Sequence, residues 1–144
     1  MEHVSTIKVT VLTVLGAVGS FLISLLGGWS SDLATLLIFM GVDFAMGLII
    51  AGFFKKSRKS ESGALRSMSA WQGLCKKGVT LLFVLIAYRL DISLGINYVR
   101  TATILGFMIN ELISIVENAG LMGIKLPNAL TKAIDLLNDK EEEI

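Results

Sequence analysis

The chain has 144 residues, 53% hydrophobic and 17% charged, with a formal net charge of +1 and a mean hydropathy of +0.72. An average soluble domain carries roughly 25% charged residues, so this composition argues against a soluble enzyme, a nucleic-acid-binding domain or a disordered tail, and for a small one-domain integral membrane protein. One cysteine, Cys75, and one histidine, His3, leave no disulfide framework, no zinc or thiolate site and no Ser-His-Asp chemistry, and no cofactor is implied.

In chain order, the first apolar span is Val9–Leu26, 18 residues without a charge and extendable to Trp29. At about 1.5 Å per residue it just crosses a hydrocarbon core of about 30 Å. A cleaved signal peptide is the rival reading, but the run exceeds the usual apolar region of about 7–15 residues and no A-x-A-like site follows. A Gly27-Gly28-Trp29-Ser30 turn leads to a second span, 33–54, with Asp43 as its one charge. Two spans so close together predict a helical hairpin, with Trp29 as an interfacial anchor.

The loop 55–77 holds seven of the 13 basic residues: Lys55, Lys56, Arg58, Lys59, Arg66, Lys76 and Lys77. Positive loops stay in the cytoplasm, which fixes the topology of the whole chain. Leu65, Met68, Trp71 and Cys75 recur at helical spacing within it. That spacing fits a short amphipathic helix on the anionic inner leaflet, and a solvated linker is the alternative.

Beyond the loop, 78–98 and 101–120 read as two further spans turning near Asn97–Arg100. The alternative is three spans in all, with Leu90–Arg100 outside the bilayer. The preferred fold is thus an all-α integral membrane bundle of four helices, occupying residues 1–122. A C-terminal amphipathic helix and acidic tail fill 123–144, where Leu126, Leu130, Ala133, Ile134 and Leu137 share one face after Pro127.

Ionisable groups inside a membrane span are costly and need a partner or water. Asp43 and Arg89 each lie 11 residues from the cytoplasmic ends of their spans, a depth of about 16 Å. Glu111 falls near the same level, so Arg89 is expected to pair with Asp43 or Glu111. In the three-span alternative, Arg89 and Asp91 instead mark a loop. Asn110, Glu111, Ser114, Glu117 and Asn118 fall within about 120° of a helical wheel. This stripe is either a lumen-lining face in an assembly or the polar end of an emerging helix. Gly16, Ser20, Ser24 and Gly28 recur every four residues, and Gly47 and Ala51 repeat the device in line with Asp43. Small residues so spaced let helices approach closely, which predicts packing in a homo-oligomer.

The string Asn110-Glu111-Leu112-Ile113-Ser114-Ile115-Val116-Glu117-Asn118-Ala119-Gly120, continuing through Met122-Gly123-Ile124-Lys125-Leu126-Pro127, resembles the C-terminal signature of the toxin-secretion/phage-lysis holins. Phe39-Met40-Gly41-Val42-Asp43-Phe44-Ala45-Met46-Gly47 before a basic loop is similar to the same family. The resemblance covers nearly the whole chain. It implies a non-enzymatic protein of the bacterial host's cytoplasmic membrane that assembles into lesions, releasing a phage endolysin or assisting export of a large toxin. Some such proteins also have an inhibitory form from a second start, and no methionine between Met1 and Met40 supports one here.

Two other functions fit the residues. A small proton-coupled transporter would use Glu111 or Asp43 to exchange a proton, although no internal repeat relates the two hairpins. A membrane scaffold would recruit soluble partners through the basic loop without forming a pore.

Overall fold

The computed structural model describes residues 2–55 and 67–142. Among them there are only helices: α1 (Glu2–Leu25), α2 (Ser31–Ile49), α3 (Ser67–Leu94), α4 (Val99–Leu121) and α5 (Asn128–Glu142), with α2 running on into a π-helical turn, Ile50–Phe54. Three stretches are long and apolar enough to cross a membrane: Val4–Leu25, Ser31–Phe54 and Val99–Leu121. The 28-residue α3 is not among them; it carries Lys76, Lys77, Arg89 and Asp91 along its length.

Several helix hydroxyls bond their own backbone, as a low-dielectric surrounding favours. In α1 the hydroxyls of Thr10 and Thr13 donate back to the carbonyls of Thr6 and Val9, each at 2.9 Å. The α1–α2 turn uses Gly27 and Gly28 at φ +93° and +86°, and Ser30 then caps α2 by accepting from the Leu33 amide. Lys55 ends the π-helical turn in a left-handed conformation, φ +50°, and its amide donates to the Ile50 carbonyl. The α3–α4 turn passes through Gly95 at φ +67°.

Helix α4 is central. It packs along α2 and along α3, while α2 and α3 touch each other only sparingly. The core joins Leu33, Leu36 and Met40 of α2 to Val84 of α3 and Ile104 and Met108 of α4, with Leu26 closing the turn end. Positions 33, 36, 40 and 43 follow a three–four spacing, so Asp43 occupies the next place on the apolar line. Buried positions 73, 84, 87 and 91 of α3 follow the same spacing, and that line also runs through Lys77 and Thr80.

Several expectations need correction. The α1–α2 pair is not a packed hairpin: α1 is exposed on almost every side from Val4 to Leu22, and only Ile23 and Leu26 reach the core. Apolar side chains all round α1 suit lipid equally in every direction, so nothing pins one face to α2. The third helix is already formed at Ser67, the first residue described after the basic segment, and not only from residue 78, so Trp71, Lys76 and Lys77 lie within its register. They therefore belong to the shaft of α3 rather than to a separate helix on the inner leaflet. Lys56, Arg58, Lys59 and Arg66 lie outside the described residues.

Candidate functional site

The site grows from the two inward lines of α2 and α3 and the α4 face packed against both. At mid-length of α2 and α4, the apolar layers give way to a polar one. Lys77 Nζ donates to Asp43 Oδ2 at 2.9 Å and, closer still, to Glu111 Oε2. Asn118 Nδ2 donates to Asp43 Oδ1 at 3.0 Å. Side-chain exposure is 12% for Lys77, 5% for Asp43 and 13% for Glu111, so the three charges depend on one another rather than on solvent.

Counted as ionised, the group carries one positive and two negative charges. The Asn118 amide supplies a further donor to the buried carboxylate. A cleft of about 170 Å³ opens beside them, lined by Asp43, Lys76, Lys77, Asn110, Glu111 and Ser114 among others. The cleft is half-open, and its lining mixes apolar surface with the polar side chains of this layer.

Arg89 does not fill the expected role. It is exposed, and Lys77 takes the place between Asp43 and Glu111. The reason is register: Arg89 falls off the line 84, 87, 91, whereas Lys77 falls on its continuation. Asp91 is buried, yet far from this layer. Its carboxylate accepts from the amides of Val99 and Arg100 at 3.0 and 2.9 Å, which caps α4 at the turn. Thus neither the ion-pair reading of Arg89 nor the loop reading of Arg89 and Asp91 holds, since both are helical.

Within the α4 stripe, residues divide. Glu111 and Asn118 turn toward α2 and α3, whereas Asn110 and Glu117 lie on the outer face. Ser114 sits between, on the wall of the cleft. Gly16, Ser20 and Ser24 sit on exposed α1, while Ala51 is buried in the bundle.

Two residues escape a reading of apolar spans alone. Lys77 looks like loop charge beside Lys76, and only the three–four spacing of α3 reveals it. Arg100 looks like a turn residue, yet its guanidinium bonds the carbonyls of Leu26 at 2.6 Å and Gly28 at 3.1 Å, and the Ser30 hydroxyl at 3.0 Å. It staples the α1–α2 turn to the start of α4, so both turns lie at one end of the molecule. No local sequence signal announces that contact.

A model of the bacteriophage holin family matches residues 20–139. The chain belongs to that family. The match begins late in α1 and takes in the α2–α4 bundle with its polar layer and most of α5. A probable holin of Bacillus phage phi105 is 35% identical over 106 residues, covering 71% of this chain and 73% of that protein. An uncharacterized 14.9 kDa protein from the nagH 3' region of Clostridium perfringens is 34% identical over 127 residues, 87% of this chain and 90% of its own. The uncharacterized protein YqxH of Bacillus subtilis is 34% identical over 109 residues, 75% of this chain and 72% of its own. No solved structure matches. The holin-family match and the apolar helices together make this a membrane protein with a holin role.

Proposed function

We propose that this holin-family chain accumulates in the bacterial cytoplasmic membrane and assembles with copies of itself into lesions that pass an endolysin or a large toxin. The observation that supports this reading is the charged layer Asp43–Lys77–Glu111, buried between three helices at mid-span depth.

In a single chain Lys77 offsets one of the two negative charges and hydrogen-bonds both carboxylates, which lowers the cost of holding them in lipid. Separation of the helices in an assembly would expose the same groups to water, where each is solvated on its own. The layer therefore favours two states, a closed bundle in lipid and a hydrated one around a shared lumen. The basic segment 55–66 and α5 face the cytoplasm in this arrangement, and the two turns at the Arg100 end face outward. Lipid and self are the direct partners, and the endolysin or toxin is the cargo.

Inducible expression in bacteria tests the proposal. Depolarisation of the membrane and release of a cytoplasmic reporter protein are expected together. Resistance to a substrate without collapse would indicate a transporter, and neither effect a scaffold. Unchanged lysis timing and lesion size in Glu111→Gln would remove that carboxylate from the mechanism.

A further inference from the structure

The outer face of α4 carries a second polar feature that the ion-paired layer does not use. Asn110 lies midway between Val99 and Leu121 and is exposed, and its carboxamide makes no hydrogen bond with any described residue. A carboxamide left exposed at that depth is costly in lipid, and a hydrogen-bonding partner relieves the cost. Around it the helix surface is hollow. A depression of about 400 Å³ is lined by Ala102, Thr103, Gly106, Phe107 and Asn110. Asn110 also lines the charged cleft, so it stands between the two depressions on α4.

Thr103, Gly106, Asn110 and Ser114 follow one another at intervals of three, four and four residues. This is the spacing of a seam between two helices, with a small residue one turn from the amide to admit a close neighbour. We infer that this seam is a contact surface for α4 of a second copy, with Asn110 bonded to Asn110 of its neighbour.

Hydrogen-bond complementarity selects the occupant. A carboxamide offers both a donor and an acceptor, so it satisfies itself when it meets its own kind. Copies of one chain insert in one orientation, so α4 helices lie parallel and each residue faces its equivalent. A lipid tail offers no polar partner at that depth. Glu117, one turn beyond Ser114, has a partner within its own chain and lies near the cytoplasmic end of the helix. The inference deepens the assembly reading and rests on it, because it names the face on which two chains meet.

The test uses the full chain in cell membranes, with Cys75→Ser as background and single cysteines introduced by Thr103→Cys, Gly106→Cys and Asn110→Cys. Leu82→Cys and Ile86→Cys, on the exposed side of α3, serve as controls. Copper-phenanthroline oxidation is expected to give covalent dimers at Thr103→Cys and Gly106→Cys well above the controls, and fewer at Asn110→Cys, which removes the carboxamide bond. In the Thr103→Cys chain, adding Asn110→Ala is expected to weaken the dimer about three- to thirtyfold, the range for one interhelical hydrogen bond in lipid. Adding Asn110→Gln, which keeps the carboxamide, is expected to retain most of it. Membrane accumulation of each variant separates a lost contact from a lost fold. Cross-linking no greater than the controls overturns the seam, as does ready reaction of Asn110→Cys with a membrane-impermeant maleimide, which would put it in a water-filled lumen. Depolarisation measured in the same cells keeps the two readings apart: depolarisation without seam dimers ends the seam alone, and seam dimers without depolarisation end the pore alone.

Discussion

At the residue scale, the charged layer ranks its members by what each leaves behind when removed. Lys77 holds two carboxylates, and Lys77→Met strands both in a buried site. Breaking a buried pair from one side costs about 3–5 kcal/mol. Thermal unfolding of the purified chain in detergent is expected to show a loss of that size. Adding Asp43→Asn and Glu111→Gln to Lys77→Met removes the stranded charge and is expected to recover much of it. A triple variant as unstable as the single one would show that packing of the lysine stem, not charge, carries the layer. The glycine turn gives a second comparison. A Cβ on Gly27 would lie 2.7 Å from Arg100 Nε and 2.8 Å from the Tyr88 ring, whereas one on Gly28 meets nothing within 4 Å. Both have positive φ, which costs an alanine ~1–2 kcal/mol. Gly28→Ala is expected to cost that alone, and Gly27→Ala more, because it also displaces the arginine from the Leu26 carbonyl. The same unfolding measurement reads both.

At the element scale, α4 begins under a cap from outside its own sequence neighbourhood. Tyr98 stands at the N-cap without a side-chain bond, and Asp91 on the last turn of α3 takes the first two amides instead. Loss of a cap costs about 0.5–2 kcal/mol. Asp91→Ala is expected to fall in that range, with faster hydrogen exchange at the Val99 and Arg100 amides. The same contact shows where sequence reading stops. Long apolar runs place α2 and α4 to within a few residues, because hydropathy needs no knowledge of neighbours. The helix after Pro127 is marked by local chemistry as well, whereas the turn expected near Asn97–Arg100 begins earlier, at Gly95. The start of α3 is not so marked, since Lys76-Lys77 resembles the loop charge before it until the line 73, 84, 87, 91 is extended through residue 77. Choosing Lys77 over Arg89 as the partner of Asp43 needs helical phase, and the Asp91 and Arg100 contacts need the tertiary fold.

At the scale of the whole molecule, the chain divides into an internally satisfied bundle and a helix committed to its surroundings. The bundle α2–α4 buries its apolar line and pairs its charges, while α1 leaves nearly all its apolar side chains outside. What joins the two is polar and sits at one end, where Arg100 holds the Leu26 and Gly28 carbonyls. An arginine there meets the negative end of the α1 dipole as well as two orphaned carbonyls, so the joint is stronger than the bare turn. The staple also holds the Gly27–Ser30 turn and the Gly95–Tyr98 turn at the same end of the molecule, so both are expected on one side of the membrane. With Cys75→Ser as background, Trp29→Cys and Asn97→Cys are expected to react with an impermeant maleimide added to intact spheroplasts. Ser67→Cys and Lys132→Cys, at the opposite end of the helices, are expected to react only after the membrane is opened. Reaction of Trp29→Cys and Asn97→Cys from opposite faces would break the staple as a description of the inserted chain. Reaction of all four from outside before lysis would instead place the basic segment beyond the membrane, and the charge rule that orients the chain would then fail for this molecule.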